Sequence, residues 1–176
     1  MTKRAILCLG AESTGTRMMC RQFNKVGYYG KESGNYFDSH LPTEKMNIVW
    51  HRTYPLDGMN TNIRRWVEIP KMVSPLKNAG FDVQAVVNTR DWHSTIQSQI
   101  RVGHTSSYKE SWDRLQIAYP MIFNGLKACK VPFVVVTYES LLLYGKPVLD
   151  HMFTMLGIDP PDNIEEFKDG NAKYYS

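Results

Sequence analysis

Residues 10 to 17 read Gly-Ala-Glu-Ser-Thr-Gly-Thr-Arg, two glycines bracketing small hydroxyl side chains with a cation directly behind them. The apolar run Ala5 to Leu9 ahead of this loop predicts a buried strand, and a helix is expected to start near Thr16. A strand that passes through such a loop into a helix aims the unpaired amides of the first helical turn, and the positive end of the helix dipole, at whatever the loop encloses. That ligand should be an anion. Ser13, Thr14, Gly15 and Thr16 offer backbone amides and hydroxyls, while Arg17 offers charge. A cation in the first turn of a helix is badly placed unless an anion is there to meet it.

The separation of Gly10 and Gly15 is that of a Walker A loop, but Thr16 and Arg17 stand where a nucleotide triphosphatase carries Lys and then Ser or Thr. The Lys that reaches the outer phosphates and the hydroxyl that ligates magnesium are both missing. Neither later apolar strand ends in a Walker B Asp: one runs into Asn88-Thr89-Arg90, the other into Thr137-Tyr138-Glu139. Ordinary ATP or GTP hydrolysis is therefore disfavoured.

These groups need a scaffold, and the remaining sequence describes one. With 176 residues, 43% of them hydrophobic and 22% charged, the chain is long enough for one well-buried domain, taken as residues 1 to 176, and short for two. A formal charge of +4 suits an anionic ligand without the clustered basic stripe of a nucleic-acid binder, so no nucleic-acid partner is expected. No apolar run is long enough to cross a membrane, and the start is too short for a secretory segment, so a cytoplasmic location with no membrane partner is expected. Cys8, Cys20 and Cys129 lie in apolar contexts without metal-ligand spacing and read as reduced thiols; no metal site is expected.

Met19, Phe23 and Val26 give the first helix an apolar face, with Gly27 as its stop. Residues 28 to 46 have no sustained period and read as a long loop or lid. Asn47 to Trp50 predicts a short strand with His51 and Arg52 at its end, and residues 62 to 79 predict a helix broken by Pro70 and Pro75. Asp82 to Asn88 holds Val83, Ala85, Val86 and Val87, a nearly continuous apolar run that predicts a strand, with Arg90 just past its end. Asp91 or Ser94 caps a helix running to about Val102, and Ser107 to Glu110 is a capping box opening another, with Pro120 expected to kink it. Phe133 to Thr137 is a further strand, and Pro147 opens a last helix that Gly157 ends. Strands alternating with helices predict an α/β fold, three layers α/β/α around a central, mostly parallel sheet of about four to five strands, with the ligand at their carboxyl ends.

Three segments of this scaffold resemble the cytosolic and carbohydrate sulfotransferases, which use 3′-phosphoadenosine 5′-phosphosulfate (PAPS) on a phosphate-loop fold. The loop Ser13-Thr14-Gly15-Thr16-Arg17 is similar to the family's Lys-Ser-Gly-Thr-Thr, and more so to the Lys-Gly-Gly-Thr-Arg of its glycosaminoglycan enzymes. Arg90 at a strand end, with Ser98 eight residues on, looks like the pair that grips the 3′-phosphate. Val134 to Leu141, then Pro147 and Met155-Leu156-Gly157, is similar to the family's strand, Tyr-Glu-Asp-Leu, Pro and Phe-Leu-Gly succession. The end of the chain, Asp169 to Tyr175, resembles a tail in which Lys173 would close over the nucleotide.

The resemblance implies sulfuryl transfer from PAPS to a hydroxyl acceptor, a small molecule or a carbohydrate, leaving adenosine 3′,5′-bisphosphate. Residues 13 to 17 would hold the 5′-phosphate, with Arg17 neutralising the leaving charge, and Arg90 and Ser98 would fix the 3′-phosphate. Ser13 stands in the slot of the family's catalytic Lys, and Arg17 or Arg52 would supply that charge instead. His51 is the first candidate for the general base, ahead of His40 and Glu44; His93, His104 and His151 have no motif behind them. Glu12, a carboxylate inside an anion loop, is repulsive unless it turns toward the acceptor. The alternatives are a nucleotide or nucleoside kinase on a related fold, and a degenerate nucleotide-binding module without turnover. The residues leave oligomeric state open.

Overall fold

The computed structural model describes residues 2–30, 41–54, 56–57, 64–65, 68–164 and 166–175. Four strands, β1 (Lys3–Ala11), β2 (Asn47–Tyr54), β3 (Phe81–Thr89) and β4 (Phe133–Thr137), form one sheet in the order β2-β1-β3-β4. Every pairing in it is parallel. Helices are α1 (Thr16–Lys25), α2 (Ile69–Asn78), α3 (Trp92–Arg101), α4 (Tyr108–Ala128), α5 (Tyr138–Tyr144) and α6 (Lys146–Met155). Near the chain end Ala172–Tyr174 makes one 3₁₀ turn.

Side chains of a strand alternate between faces, and β1 shows the result on both sides of the sheet. Ala5, Leu7, Leu9 and Ala11 pack with Ile69, Met72 and Leu76 of α2, Ile96 of α3 and Leu115, Ile122 and Leu126 of α4. Ile6 and Cys8 pack on the other face with Met19, Cys20 and Phe23 of α1 and Leu149, Met152 and Phe153 of α6. The three-layer α/β/α sandwich is thus built from the near-continuous apolar strands the sequence shows.

Connectivity makes the site. From β1 the chain crosses through α1 to β2 on one side, whereas β3 lies on the other side of β1, so the helices leaving β1 and β3 pack on opposite faces. Such a reversal leaves a crevice at the carboxyl ends of the two strands, where open α/β sheets bind ligands. The loop after Ala11 and Arg90 after Thr89 both sit at this end.

Several elements differ from expectation. β2 continues four residues beyond Trp50, pairing His51 with Cys8 and Tyr54 with Ala11, so His51 is a mid-strand residue and does not mark a strand end. Pro70 lies in the first turn of α2, where a missing N–H costs nothing, and only Pro75 is interior. The earlier part of that helix prediction, with Ile63, Trp66 and Val67, lies outside the described residues except for Arg64–Arg65, which pair antiparallel with Leu56–Asp57. Residues 31 to 40 of the expected loop, His40 among them, lie outside them too. α4 runs from Tyr108 to Ala128 as one helix with Pro120 inside it. Cys8 and Cys20 are buried thiols outside any disulfide, and burial, then the neighbouring Cys20, pushes the Cys8 thiol upward; Cys129 is partly exposed.

Candidate functional site

Two glycines allow the loop its shape. Gly10 is level with Asn88 of β3, and a Cβ there would stand 2.4 Å from Thr14 Oγ1 and 2.7 Å from the Asn88 carbonyl. Gly15 caps α1 with φ +92°, a conformation that side chains disfavour. Thr14 is buried and its hydroxyl donates to the Ala11 carbonyl at 2.7 Å, closing the loop on itself. The first turn of α1 contains no acidic residue and Arg17 in it is exposed, with no hydrogen bond or ion pair among the described residues. The first-turn amides therefore present an uncompensated positive end beside a loose guanidinium.

Glu12 resolves its own conflict. Its carboxylate is buried and turned into a basic pair, 3.9 Å from Arg114 Nη1 and 3.9 Å from His104 Nδ1. Arg114 is itself fixed by Glu110 at 2.7 Å and by the His104 carbonyl at 2.9 Å. The Glu12 backbone is also held, its amide donating to the Tyr54 carbonyl at 3.3 Å and its carbonyl accepting from Gln99 Nε2 at 3.0 Å. Strand β2, helix α3 and helix α4 thus each pin the residue that opens the loop.

Arg90 stands on the other side of the crevice and reaches it: Nη1 donates to the Ser13 carbonyl at 2.9 Å. The sequence places these residues far apart, and the fold brings them into contact. Nε of Arg90 donates to Asn171 Oδ1 at 2.7 Å and Nη2 to the Gly170 carbonyl at 2.9 Å, while the guanidinium lies over the Tyr138 ring at 4.9 Å. Glu139 ties this together, accepting from the Asp91 amide at 3.0 Å and from Asn171 Nδ2 at 2.7 Å. Ser98 is buried on α3, beside the Tyr174 phenol. The Tyr138-Glu139 pair read from the sequence as a motif therefore joins the ends of β3 and β4 to the chain's tail.

The other expected residues are placed differently. His51 and Arg52 are both buried, but as strand neighbours they point to opposite faces, His51 to the side of Val49 and Cys8, Arg52 to the side of Trp50 and Tyr54, with its guanidinium over the Trp50 ring at 5.6 Å. They do not form one group beside the loop. Glu44 is exposed in the turn before β2, at the amino end of the sheet and away from the loop. Lys173 is exposed, its ammonium over the Tyr174 ring at 5.1 Å. Sequence reasoning missed Arg114 and His104 as partners of Glu12, and Asn171 and Gly170 as partners of Arg90. The unexplained acid in an anion loop was the only local signal for either. Among the described residues no cluster of His, Cys, Asp and Glu is arranged to hold a metal ion, and no helix is long and apolar enough to cross a membrane.

The fold class is α/β with a parallel four-stranded sheet and a glycine-bracketed loop at its switch point. Among solved structures the chain is similar to the sulfotransferase domain of the Synechococcus PCC 7002 olefin synthase, at 13% sequence identity and a TM-score of 0.53, over 100% of this chain and 79% of that one. At that identity the likeness speaks for the fold, which is sulfotransferase-like. No protein-family model and no curated protein matches the sequence.

Proposed function

We propose that this chain is a PAPS-dependent sulfotransferase that passes a sulfuryl group to a hydroxyl acceptor by in-line displacement. One observation carries the reading: the amide-lined loop and Arg90 meet at the carboxyl ends of adjacent strands, joined through the Ser13 carbonyl, with Ser98 on the helix that follows Arg90. Two grips at one end of the sheet suit a nucleotide phosphorylated at both its 5′ and 3′ positions, and a triphosphate needs only the first. The sulfotransferase-like fold supports the same choice.

In this reading the first-turn amides of α1 hold the 5′-phosphate, and Arg17 neutralises the charge that grows on it as the sulfur–oxygen bond breaks. Arg90 and Ser98 hold the 3′-phosphate; Lys173, the sequence's further candidate, stands exposed on the tail over the Tyr174 ring. Thr14 keeps the loop closed, its hydroxyl and its amide both donating to the Ala11 carbonyl at 2.7 and 3.3 Å, so it shapes the cup and the donors to the ligand are the amides that follow it. Ser13 leaves the departing phosphate without the family's Lys. Arg17 is the cation that the geometry offers in its place, because Arg52 faces the α2 side of the sheet with Trp50 and Tyr54. For the acceptor's proton, His51 is the sequence's candidate and Glu12 the acid that the geometry attaches to the loop. A cavity of about 490 Å³ between α2 and α4 borders Tyr54 and is walled mainly by Ile69, Pro70, Ile117, Pro120 and Met121. Beside these apolar walls stand Glu68, Gln116 and Asn124, so the acceptor is left as a hydroxyl compound, a small molecule or a carbohydrate.

Thermal shift with adenosine 3′,5′-bisphosphate, set against ATP with magnesium, tests the donor: stabilisation by the bisphosphate is expected, and stabilisation by magnesium-ATP alone would favour a kinase. Transfer of labelled sulfate from PAPS to panels of phenols, alkyl alcohols and sugars then tests turnover. Binding without transfer to any acceptor would indicate a nucleotide-binding module.

A further inference from the structure

The last residues of the described chain lie across the crevice. Tyr138 Oη donates to the Lys168 carbonyl at 2.5 Å and accepts from the Gly170 amide at 3.1 Å, which carries the chain over the end of β4. Asp169 Oδ1 then accepts from the Asn171 and Ala172 amides at 2.8 and 3.1 Å, turning it toward α3. There Tyr175 Oη donates to Asp91 Oδ1 at 2.5 Å, and the Tyr174 carbonyl meets His93 Nε2 at 3.3 Å.

What this segment does to Arg90 is specific. A guanidinium binds an oxyanion best through its side-on edge, where Nε–H and one Nη2–H run parallel. Here that edge is already filled, Nε by Asn171 Oδ1 and Nη2 by the Gly170 carbonyl, two oxygens standing where two oxygens of a phosphate would stand. The Tyr174 phenol oxygen covers the second member of the grip. It is buried against Ser98 and Arg101 and makes no hydrogen bond of good geometry with either. Asn171 is buried as well, held from behind by Glu139.

Resting on the donor reading above, we propose that residues 169–175 are an internal strap that imitates the 3′-phosphate, so that the docked strap and the bound nucleotide exclude each other. The free protein is then held in a self-occupied state. The donor binds at the expense of the Asn171 and Gly170 contacts, and the apparent affinity is lowered by the fraction of molecules with the strap docked. A strap docked in roughly nine molecules of ten weakens binding about tenfold.

Isothermal titration with adenosine 3′,5′-bisphosphate tests this on the full chain, on a chain ended after Asp169, and on the full-length double variant Asn171→Ala, Tyr174→Ala. The double variant keeps Lys173 and every residue of the loop, and guards against misfolding of the shortened chain. Tighter binding by about tenfold in the altered forms is the expected result. Equal or weaker binding by folded variants, with the full chain binding normally, would overturn the strap and leave the donor reading standing. Absence of binding by all three forms would overturn the donor reading and the strap together.

Discussion

Gly10→Ala probes whether the loop is closed as tightly as its geometry states. The added methyl would lie 2.4 Å from Thr14 Oγ1, 2.7 Å from the Asn88 carbonyl and 3.2 Å from Thr16 Cγ2. Thr14 can rotate away only by giving up its 2.7 Å hydrogen bond to the Ala11 carbonyl in a buried site, and the Asn88 carbonyl belongs to a paired strand that cannot retreat. Overpacking of this kind costs about 1–3 kcal/mol and the lost hydrogen bond about 1 kcal/mol more. The sum, about 2–4 kcal/mol, corresponds to a fall in Tm of roughly 4–16 °C for a chain of this size. Gly27→Ala is the control, because nothing lies within 4 Å of the point its methyl would occupy, and its φ of +83°, which Gly10 does not share, leaves only about 1–2 kcal/mol of backbone strain. Urea and thermal unfolding of both variants, with Thr14→Ala and the Gly10→Ala, Thr14→Ala pair, complete the test. The paired variant should cost less than the sum of its parts, because the two changes share one contact. A Gly10→Ala protein as stable as wild type, or more stable than Gly27→Ala, would refute the tight closure of the loop.

Glu12→Gln should lower stability by about 1–3 kcal/mol, and Arg114→Gln in that background should add less than it does alone, which a double-mutant cycle by chemical unfolding would measure. Glu110 is held below the usual carboxylate range, first by the Ser106 amide and then, against burial, by the Ser106 hydroxyl and Arg114. A depressed carboxylate contributes stability that is present above its unfolded pKa and lost as the pH falls through the folded one. Glu110→Gln should therefore be less stable than wild type at neutral pH, with the gap closing as the pH drops below about 4 in unfolding curves. His51→Gln and Glu12→Gln, assayed side by side for sulfate transfer per folded molecule, identify the base: a loss of about 10²–10⁴-fold is expected in the variant that removes it, and both retaining full turnover would exclude both.

Much of this architecture was legible because its signals are local. Apolar runs gave β1, β3 and β4, and side-chain caps open two helices where read, Asp91 accepting from the Ser94 amide at 2.8 Å and Ser107 from the Glu110 amide at 3.2 Å, although the Glu110 carboxylate returns to the Ser106 amide and not to that of Ser107. The loop was legible for the same reason, since its glycines and hydroxyls are contiguous. The full length of β2 was not: His51, Arg52 and Thr53 look like a strand's polar exit, and only pairing with β1 up to Ala11 keeps them extended. Glu12 looked anomalous because its partners, His104 and Arg114, come from the far side of α3 in the chain. The contacts that order the tail were not legible for a similar reason, since they come from Arg90, Tyr138 and Glu139, none of them near it in sequence.

Titration of wild type and Arg90→Ala with adenosine 3′,5′-bisphosphate and with adenosine 5′-monophosphate asks most directly whether Arg90 and the loop grip one doubly phosphorylated nucleotide. The expected result is a wild-type preference for the bisphosphate that Arg90→Ala abolishes, with affinity for the monophosphate largely kept through the loop. Equal loss for both ligands, or a bisphosphate preference that survives without Arg90, would contradict it.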